Sequence, residues 1–276
     1  MDEPTTPMIK FTGSIPKNYD AVLGPMFFED YAIDLVSRID SGRVRSALEL
    51  CCGTGRVTRH LRKTLQPSAK LIASDISPDM IAVAKQNVSE GVDWKIIDAK
   101  QIALDDNQLD LVICSFGYMF MQDVVAAFKE AFRVLRPGGQ FLISTWDNLE
   151  QNGASNVHRK VIKKYFGDTL PSTYRLPFSM DDPALLEKQL QQAGFSAVNV
   201  SHVKKNTYCA TAKEAARGLV EGSSIYGDII KTNPAWLDEV KADVEQGLSS
   251  LYGSSPMVAP MSAFLTEARK SISSEQ

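Results

Sequence analysis

Over residues 46–146, short apolar runs alternate with amphipathic segments, and the two follow different periods. The runs SALELC (46–51), KLIAS (70–74), VDWKIID (92–98), LDLVICSF (109–116) and QFLISTW (140–146) are five to eight residues long. Near-continuous apolar runs of that length read as strands buried on both faces. Between them, RVTRHLRKTL (56–65) puts Val57, Leu61 and Leu65 on one helical face. SPDMIAVAKQNV (77–88) opens with Ser77 as N-cap and Pro78 at the first helical position. DVVAAFKEAFRVL (123–135) is stopped by RPGG, where proline and two glycines forbid continuation. Strand and helix thus alternate through roughly a hundred residues, which predicts a parallel sheet covered by helices, with right-handed crossovers.

The flanks follow another pattern. Residues 1–18 read as a loose arm, and from Gly24 the segment GPMFFEDYAIDLVSRI carries Phe28, Tyr31, Leu35 and Val36 at helical spacing. Residues 147–180 are polar, with one short helix near VHRKVIKKYF. DPALLEKQLQQAGF is an amphipathic helix ended by Gly194, and SAVNVSHV alternates like a strand. Two helices follow, TAKEAARGLVEGSSIY and PAWLDEVKADVEQGLSSLY, and Met261 to Thr266 is the candidate for a final strand. No repeat or clean interdomain linker interrupts the chain.

Composition narrows the partners. The 276 residues are 44% apolar and 23% charged, with a net charge of −3, so a basic surface for nucleic acid or anionic membrane is not expected. No apolar run reaches the roughly 18 residues that span a bilayer, and the acidic, Pro-rich start lacks the parts of a signal peptide. Four cysteines without a CxxC pair argue against a zinc site or a disulfide scaffold. A reducing cytoplasm is the expected location. The basic stretches RVTRHLRK and HRKVIKK read as solvated helix faces, because neither interleaves with aromatics.

Candidate chemistry gathers where the strands end. In an open α/β sheet, ligands sit outside the carboxyl ends of the strands. There the chain places LELCCGTGRVT, a strand ending in Glu49, a turn with Gly53 and Gly55, and a helix. Glycines let backbone approach a ligand, and the helix start favours its anionic parts. A dinucleotide loop wants a third glycine where this chain has Thr58, and Glu49 would repel a pyrophosphate. The same carboxylate would welcome an ammonium group. Asp75, twenty residues past Gly55 at the end of the second run, suits ribose hydroxyls. Asp98 closes the third run, either against an adenine edge or as a solvated turn acid. The ligand reads as one with an adenosine and an amino-acid end.

Taken in order, LELCCGTG, SDISPDM, IIDAKQI, LDLVICSFGYMF and VLRPGGQFLISTW resemble the motifs of class I S-adenosylmethionine-dependent methyltransferases. The likeness is closest to the small-molecule, ubiquinone/menaquinone-biosynthesis-like branch, and is strong over residues 11–146. One departure is Cys51, where the family's loop usually has its first glycine. The resemblance implies a Rossmann-like, seven-stranded, mostly parallel sheet with an antiparallel last strand and helices on both faces. The whole chain, 1–276, would be one domain, with residues 1–40, 147–180 and 211–252 forming a helical cap over the substrate. It implies S-adenosylmethionine as cofactor and S-adenosylhomocysteine as product. Glu49, Cys51 and Gly53 would surround the methionine part, Asp75 would hold the ribose, and Ile76 and Met80 would lie near the adenine. Asp98 would take the adenine amino group with Ala99 beside it, and Ser115 would lie near the sulfonium. An aromatic from the leading arm, Tyr19 and also Phe28, would close over the cofactor, although Phe28 could equally be core.

Methyl transfer from a sulfonium is an in-line displacement in which the protein mainly aligns two reactants. A base is needed only if the acceptor must lose a proton. His158 is the candidate, and Tyr118 could hydrogen-bond the acceptor or simply pack. His60 and His202 read as structural. After the fourth run, SFGYMF is not the Pro-Pro-Tyr turn of amino-group methyltransferases of adenine or glutamine. Asp147 and Asn148 match half of a metal-assisted pattern, but the other half calls for an acid after the fourth run, where this chain has Ser115, so no metal is expected. The leading reading is methyl transfer to a small, partly apolar acceptor. An NAD-dependent oxidoreductase and a non-catalytic binder of the same cofactor are the alternatives.

Overall fold

The computed structural model describes residues 12–272. The chain opens with α1 (Ile15–Asn18), a wide-turn helix (Tyr19–Phe28) and α2 (Glu29–Ser37). There follow β1 (Ser46–Leu50), α3 (Arg56–Thr64), β2 (Lys70–Asp75), α4 (Pro78–Asn87), β3 (Asp93–Ile96), β4 (Leu109–Ser115), α5 (Val124–Val134) and β5 (Leu135–Trp146). The last part runs α6 (Gly153–Phe166), α7 (Pro183–Gln192), β6 (Ser196–Cys209), α8 (Ala212–Glu221), α9 (Ile225–Thr232), α10 (Trp236–Tyr252) and β7 (Met257–Arg269). One seven-stranded sheet has the order β3-β2-β1-β4-β5-β7-β6, and β7 is antiparallel to both β5 and β6. The implied topology is therefore the observed one.

Register places the rim. Glu49 on β1 lies level with Ala73 of β2 and Ile113 of β4, while Leu50 lies level with Cys114. Successive side chains alternate between faces, so the sheet separates two cores. Ala47, Leu111, Ile113 and Leu142 join a core shared with the wide-turn helix, α2, α6, α8 and α10. Leu48, Leu50, Val112, Cys114, Phe141 and Ile143 join the other, against α5 and α7.

Four elements differ from the sequence expectation. The arm is helical from Ile15, and its residues 1–11 lie outside the described part. β7 is longer than Met261–Thr266, because β6 pairs with it almost throughout, from Ser196↔Arg269 to Cys209↔Met257. RPGG is extended rather than a simple stop: β4 and β5 shift register between Leu109↔Leu135 and Leu111↔Gln140, and Gly138 (φ 80°) helps absorb the extra residues. Finally, the helix expected over 211–226 breaks after Glu221. There Gly218 and Gly222 seat the arm: a Cβ on Gly218 would lie 2.3 Å from Val22, and one on Gly222 would lie 3.2 Å from the Tyr19 nitrogen. Among the described residues, no helix is long and apolar enough to cross a membrane.

Candidate active site at the carboxyl rim

Between β1 and α3 the backbone turns back on itself. Cys51 (φ 54°), Gly53 (φ 55°) and Gly55 (φ 85°) all adopt left-handed conformations. That region is natural for glycine and costs other residues about 1 kcal/mol or more, so Cys51 stands strained where the family has glycine. Asp75, at the end of β2, fastens this turn. Its Oδ2 accepts the Gly53 N–H at 2.9 Å, and its Oδ1 accepts the Ser77 N–H at 2.9 Å. Asp75 is only 9% exposed, and burial raises its pKa despite the N–H groups of Ser77, Gly53 and Ile76. A carboxylate offers about four acceptor directions, so with these three N–H groups on it Asp75 keeps room for a hydroxyl.

Glu49 is more isolated. It is 2% exposed, and its Oε2 has no hydrogen-bond partner among the described residues. Burial pushes its pKa up to about 8, the nearby Asp75 charge adds to this, and Thr58 offsets part of it. A buried carboxyl with one oxygen left unpartnered costs free energy unless it is neutral or meets a cation. Beside it, a Cβ built on Gly53 would meet no atom within 4 Å, so the turn presents bare backbone. An orphaned carboxylate next to exposed backbone fits the ammonium and carboxylate of an amino-acid end.

The remaining rim residues are spread along the strand ends. Ile76 is 51% exposed beside Asp75, whereas Met80 is buried behind the Ser77 cap of α4. An apolar side chain left open next to a ribose-type carboxylate suits the face of an aromatic base. Asp98 is half-buried. Its Oδ1 accepts its own turn's Lys100 N–H at 2.9 Å, and its Oδ2 lies 3.9 Å from the Lys100 ammonium. It is thus already a turn acid, with Ala99 buried behind it. Ser115 pairs its hydroxyl with that of Ser144 at 2.9 Å across β4 and β5. Gly117 just beyond is obligatory, because a Cβ there would lie 2.5 Å from the Cys51 Cβ and 2.6 Å from the Cys114 Sγ.

Above the rim stands an aromatic roof. Phe116 (φ 54°) turns sharply after β4 and stacks on Trp146 from the end of β5, with centroids 4.1 Å apart. Phe28 meets both rings, at 5.4 and 5.8 Å, and Tyr31 meets both at 5.7 and 5.5 Å. Tyr19 stacks on Phe28 at 5.2 Å. Burial raises the Tyr19 pKa, and the charges acting on it are those of Arg56, Asp75 and Asp20. Phe28 thus packs in the aromatic cluster, as the core reading expected.

His158, on α6, is 3% exposed. Its Nδ1 pairs with the Tyr174 hydroxyl at 2.8 Å, while its Nε2 has no partner among the described residues. Burial lowers its pKa to about 3, so the ring is neutral at ordinary pH. Tyr174 belongs to a short helical turn, Ser172–Phe178, whose following Ser179 donates to the Met119 carbonyl at 3.0 Å. The dyad is thereby tied to the turn that leaves β4.

Of the two readings for Tyr118, the structure shows packing. Its ring lies on Phe128 and Phe141 at 4.7 and 5.7 Å, in the core on the sheet face away from the roof. The ring packs there, and its buried hydroxyl has no hydrogen-bond partner among the described residues. Asp147 bonds to Ser262 and His202, both at 2.9 Å, and Asn148 caps the next turn through Gln151. No group of metal-ligating side chains occurs among the described residues. A wide depression of about 1020 Å³ opens at the opposite, amino-terminal rim near Ser46, Lys70 and Arg136, and none of these site residues borders it.

The basic helix α3 is also corrected. Arg56, Arg59 and His60 turn onto Glu29 of α2 rather than to solvent. Sequence reasoning passed over Arg56, Phe116, Trp146 and Tyr174. The Gly24-Pro25 pair opposite Arg56 was the one local signal that could have marked this contact.

Comparisons with known proteins bear on the site as a whole. A family model described as a methyltransferase domain matches residues 47–139. The chain is 33% identical over 207 residues to a demethylmenaquinone methyltransferase of Staphylococcus aureus, spanning 68% of this chain and 84% of the relative. With a demethylmenaquinone methyltransferase of Staphylococcus carnosus it is 34% identical over 131 residues, 46% of this chain and about half (54%) of that relative's length. Among solved structures it resembles phosphoethanolamine N-methyltransferase 2 of Haemonchus contortus in complex with S-adenosyl-L-methionine. That likeness has a TM-score of 0.61 and 15% identity over 98% of this chain and 61% of the other, and it speaks to the fold.

Proposed function

Because the chain belongs to the S-adenosylmethionine-dependent methyltransferases, we propose that it methylates a small, partly apolar acceptor held between the rim and the aromatic roof. One observation carries the proposal: the buried, partnerless Glu49 oxygen at the strand end that leads to the bare Gly53 backbone asks for a cation. The family membership, together with Thr58 where a dinucleotide loop wants its third glycine, speaks against the NAD alternative. When bound, the cofactor supplies a methyl group on a positively charged sulfur, ready for in-line displacement.

In this reading the protein's own groups bind and orient. Glu49, Cys51 and Gly53 would hold the amino-acid end, and Asp75 the ribose hydroxyls. Ile76, Met80, Asp98 and Ala99 would line the adenine site, Ser115 would flank the reacting end, and Tyr19 and Phe28 would cover it. His158 would accept a hydrogen bond from the acceptor at Nε2; with its pKa lowered to about 3 by burial, it orients the acceptor's proton rather than storing it. Where Nδ1 is the donor in the pair with the Tyr174 hydroxyl, Nε2 keeps the lone pair that this contact requires. Its neutral state follows from burial. Alignment under a water-excluding roof supplies the rest of the acceleration. Residues 12–272 form one domain in this account, with 12–40, 147–180 and 211–252 as its roof.

The acceptor is tested with labelled methyl groups. Demethylmenaquinone goes first, since relatives carry that name and stacked aromatic walls suit a flat apolar ring. Label entering an apolar ring compound supports the proposal. A cofactor-saturated protein that labels nothing across flat, amine and hydroxyl acceptors would favour the non-catalytic binder.

A further inference from the structure

Arg56 follows the cofactor loop by one residue, yet it faces the arm. Its side chain is 11% exposed. One guanidinium nitrogen donates to Glu29 at 2.6 Å, and another donates to the Asp20 carboxylate at 3.1 Å and the Asp20 carbonyl at 3.0 Å. The carbonyl bond has a sequence cause. In the wide-turn helix, amides bond five residues back, as the Glu29 N–H does to Gly24, and Pro25 has no N–H to give Asp20. Arg56 supplies the missing donor. Gly24 makes room for it, because a Cβ there would lie 2.1 Å from the guanidinium.

The loop itself joins this knot. Thr54 donates to Asp20 at 2.7 Å, and Asn87 of α4 donates to Asp20 at 3.1 Å and to the Thr54 carbonyl at 2.9 Å. Burial pushes Glu29 up, but Arg56, His60 and Arg59 outweigh it and hold the carboxyl below its ordinary value. The knot thus ties the residue next to Tyr19 to the turn that carries Gly53 and Gly55.

We propose that Arg56 is a positioning residue that latches the arm over the cofactor cleft, so that release of the bound product waits on breaking its contacts with Asp20 and Glu29. This rests on the reading of the rim as the cofactor site and of Tyr19 as its cover. The latch sets dissociation more than chemistry, as lids commonly do.

The test follows S-adenosylhomocysteine dissociation by stopped flow in the wild type, Arg56→Gln and Gly24→Ala. The second variant keeps every charge and only pushes the guanidinium aside. Both should dissociate about 10-fold faster or more, with association much less affected, and KM for the cofactor should rise while kcat holds or rises. Amide exchange of residues 19–28 should quicken in both, while exchange in β1, β4 and β5 stays as in the wild type. Unchanged dissociation and exchange in both variants, with a wild type that binds, overturns the latch alone. A wild type that binds no S-adenosylhomocysteine overturns the reading of the rim, and the latch with it.

Discussion

On the rim, Asp75 reaches Ser77 two residues away and Gly53 across 22, whereas in the roof Tyr31 bonds to Val203 across 172 and Thr207 to Met26 across 181. The rim is shaped by strand ends and a tight turn, whose geometry is mostly local. The roof is shaped by packing between segments that meet only in the folded chain. A locally determined rim can stay organised while a roof held by side chains opens and closes over it. Substitutions should therefore separate the two regions.

The largest effect is expected in the roof. Trp146→Ala removes a ring buried against four others and should cost about 3–5 kcal/mol of stability, read from denaturant unfolding. A loss below about 1 kcal/mol would mean that the aromatic cluster does not hold the roof. On the rim, Asp75→Ala should weaken cofactor binding about 100-fold, since a charged hydrogen-bonding group and the turn's fastening go together. Calorimetry showing unchanged affinity would break the assignment of the ribose end.

His158 gives a pH signature. Its folded pKa is depressed to about 3, against about 6.5 when unfolded. Its contribution to stability is therefore present above about 6.5 and lost as pH falls toward about 3. His158→Gln should flatten that part of the stability–pH curve, and an unaltered slope would place the imidazole in water. The smallest effect belongs to Cys51. Cys51→Gly relieves a left-handed residue at the cost of small thiol contacts, for a net change within about 1 kcal/mol, while Cys51→Val should destabilise clearly. Thermal unfolding of the two variants tests the ordering.

The same contrast explains what could be read in advance. Glu49, Asp75 and Asp98 end successive strands of an alternating pattern, so their shared rim follows from period and order. The seven strands and the antiparallel last one came with the resemblance, whereas the strand order was seen only in the fold. Arg56 looked like one more charge on a basic helix, because its partners, Asp20 and Glu29, lie 36 and 27 residues earlier. Tyr174 sat in a polar stretch without periodicity. Tyr118 stood in the expected place after β4, but the turn carried its ring to the other face of the sheet. Its fate was decided by the space beside Phe128 and Phe141, which no local pattern encodes.

The most direct measurement is proton release on S-adenosylmethionine binding at pH 7, read by calorimetry in buffers of different ionisation enthalpy. Glu49, pushed up to about 8 by burial, is mostly protonated before binding, and an ammonium beside it lowers that pKa. Binding should then release close to one proton, and Glu49→Gln should abolish the release and weaken binding. Tight wild-type binding without proton release, matched by the Gln variant, would contradict the account.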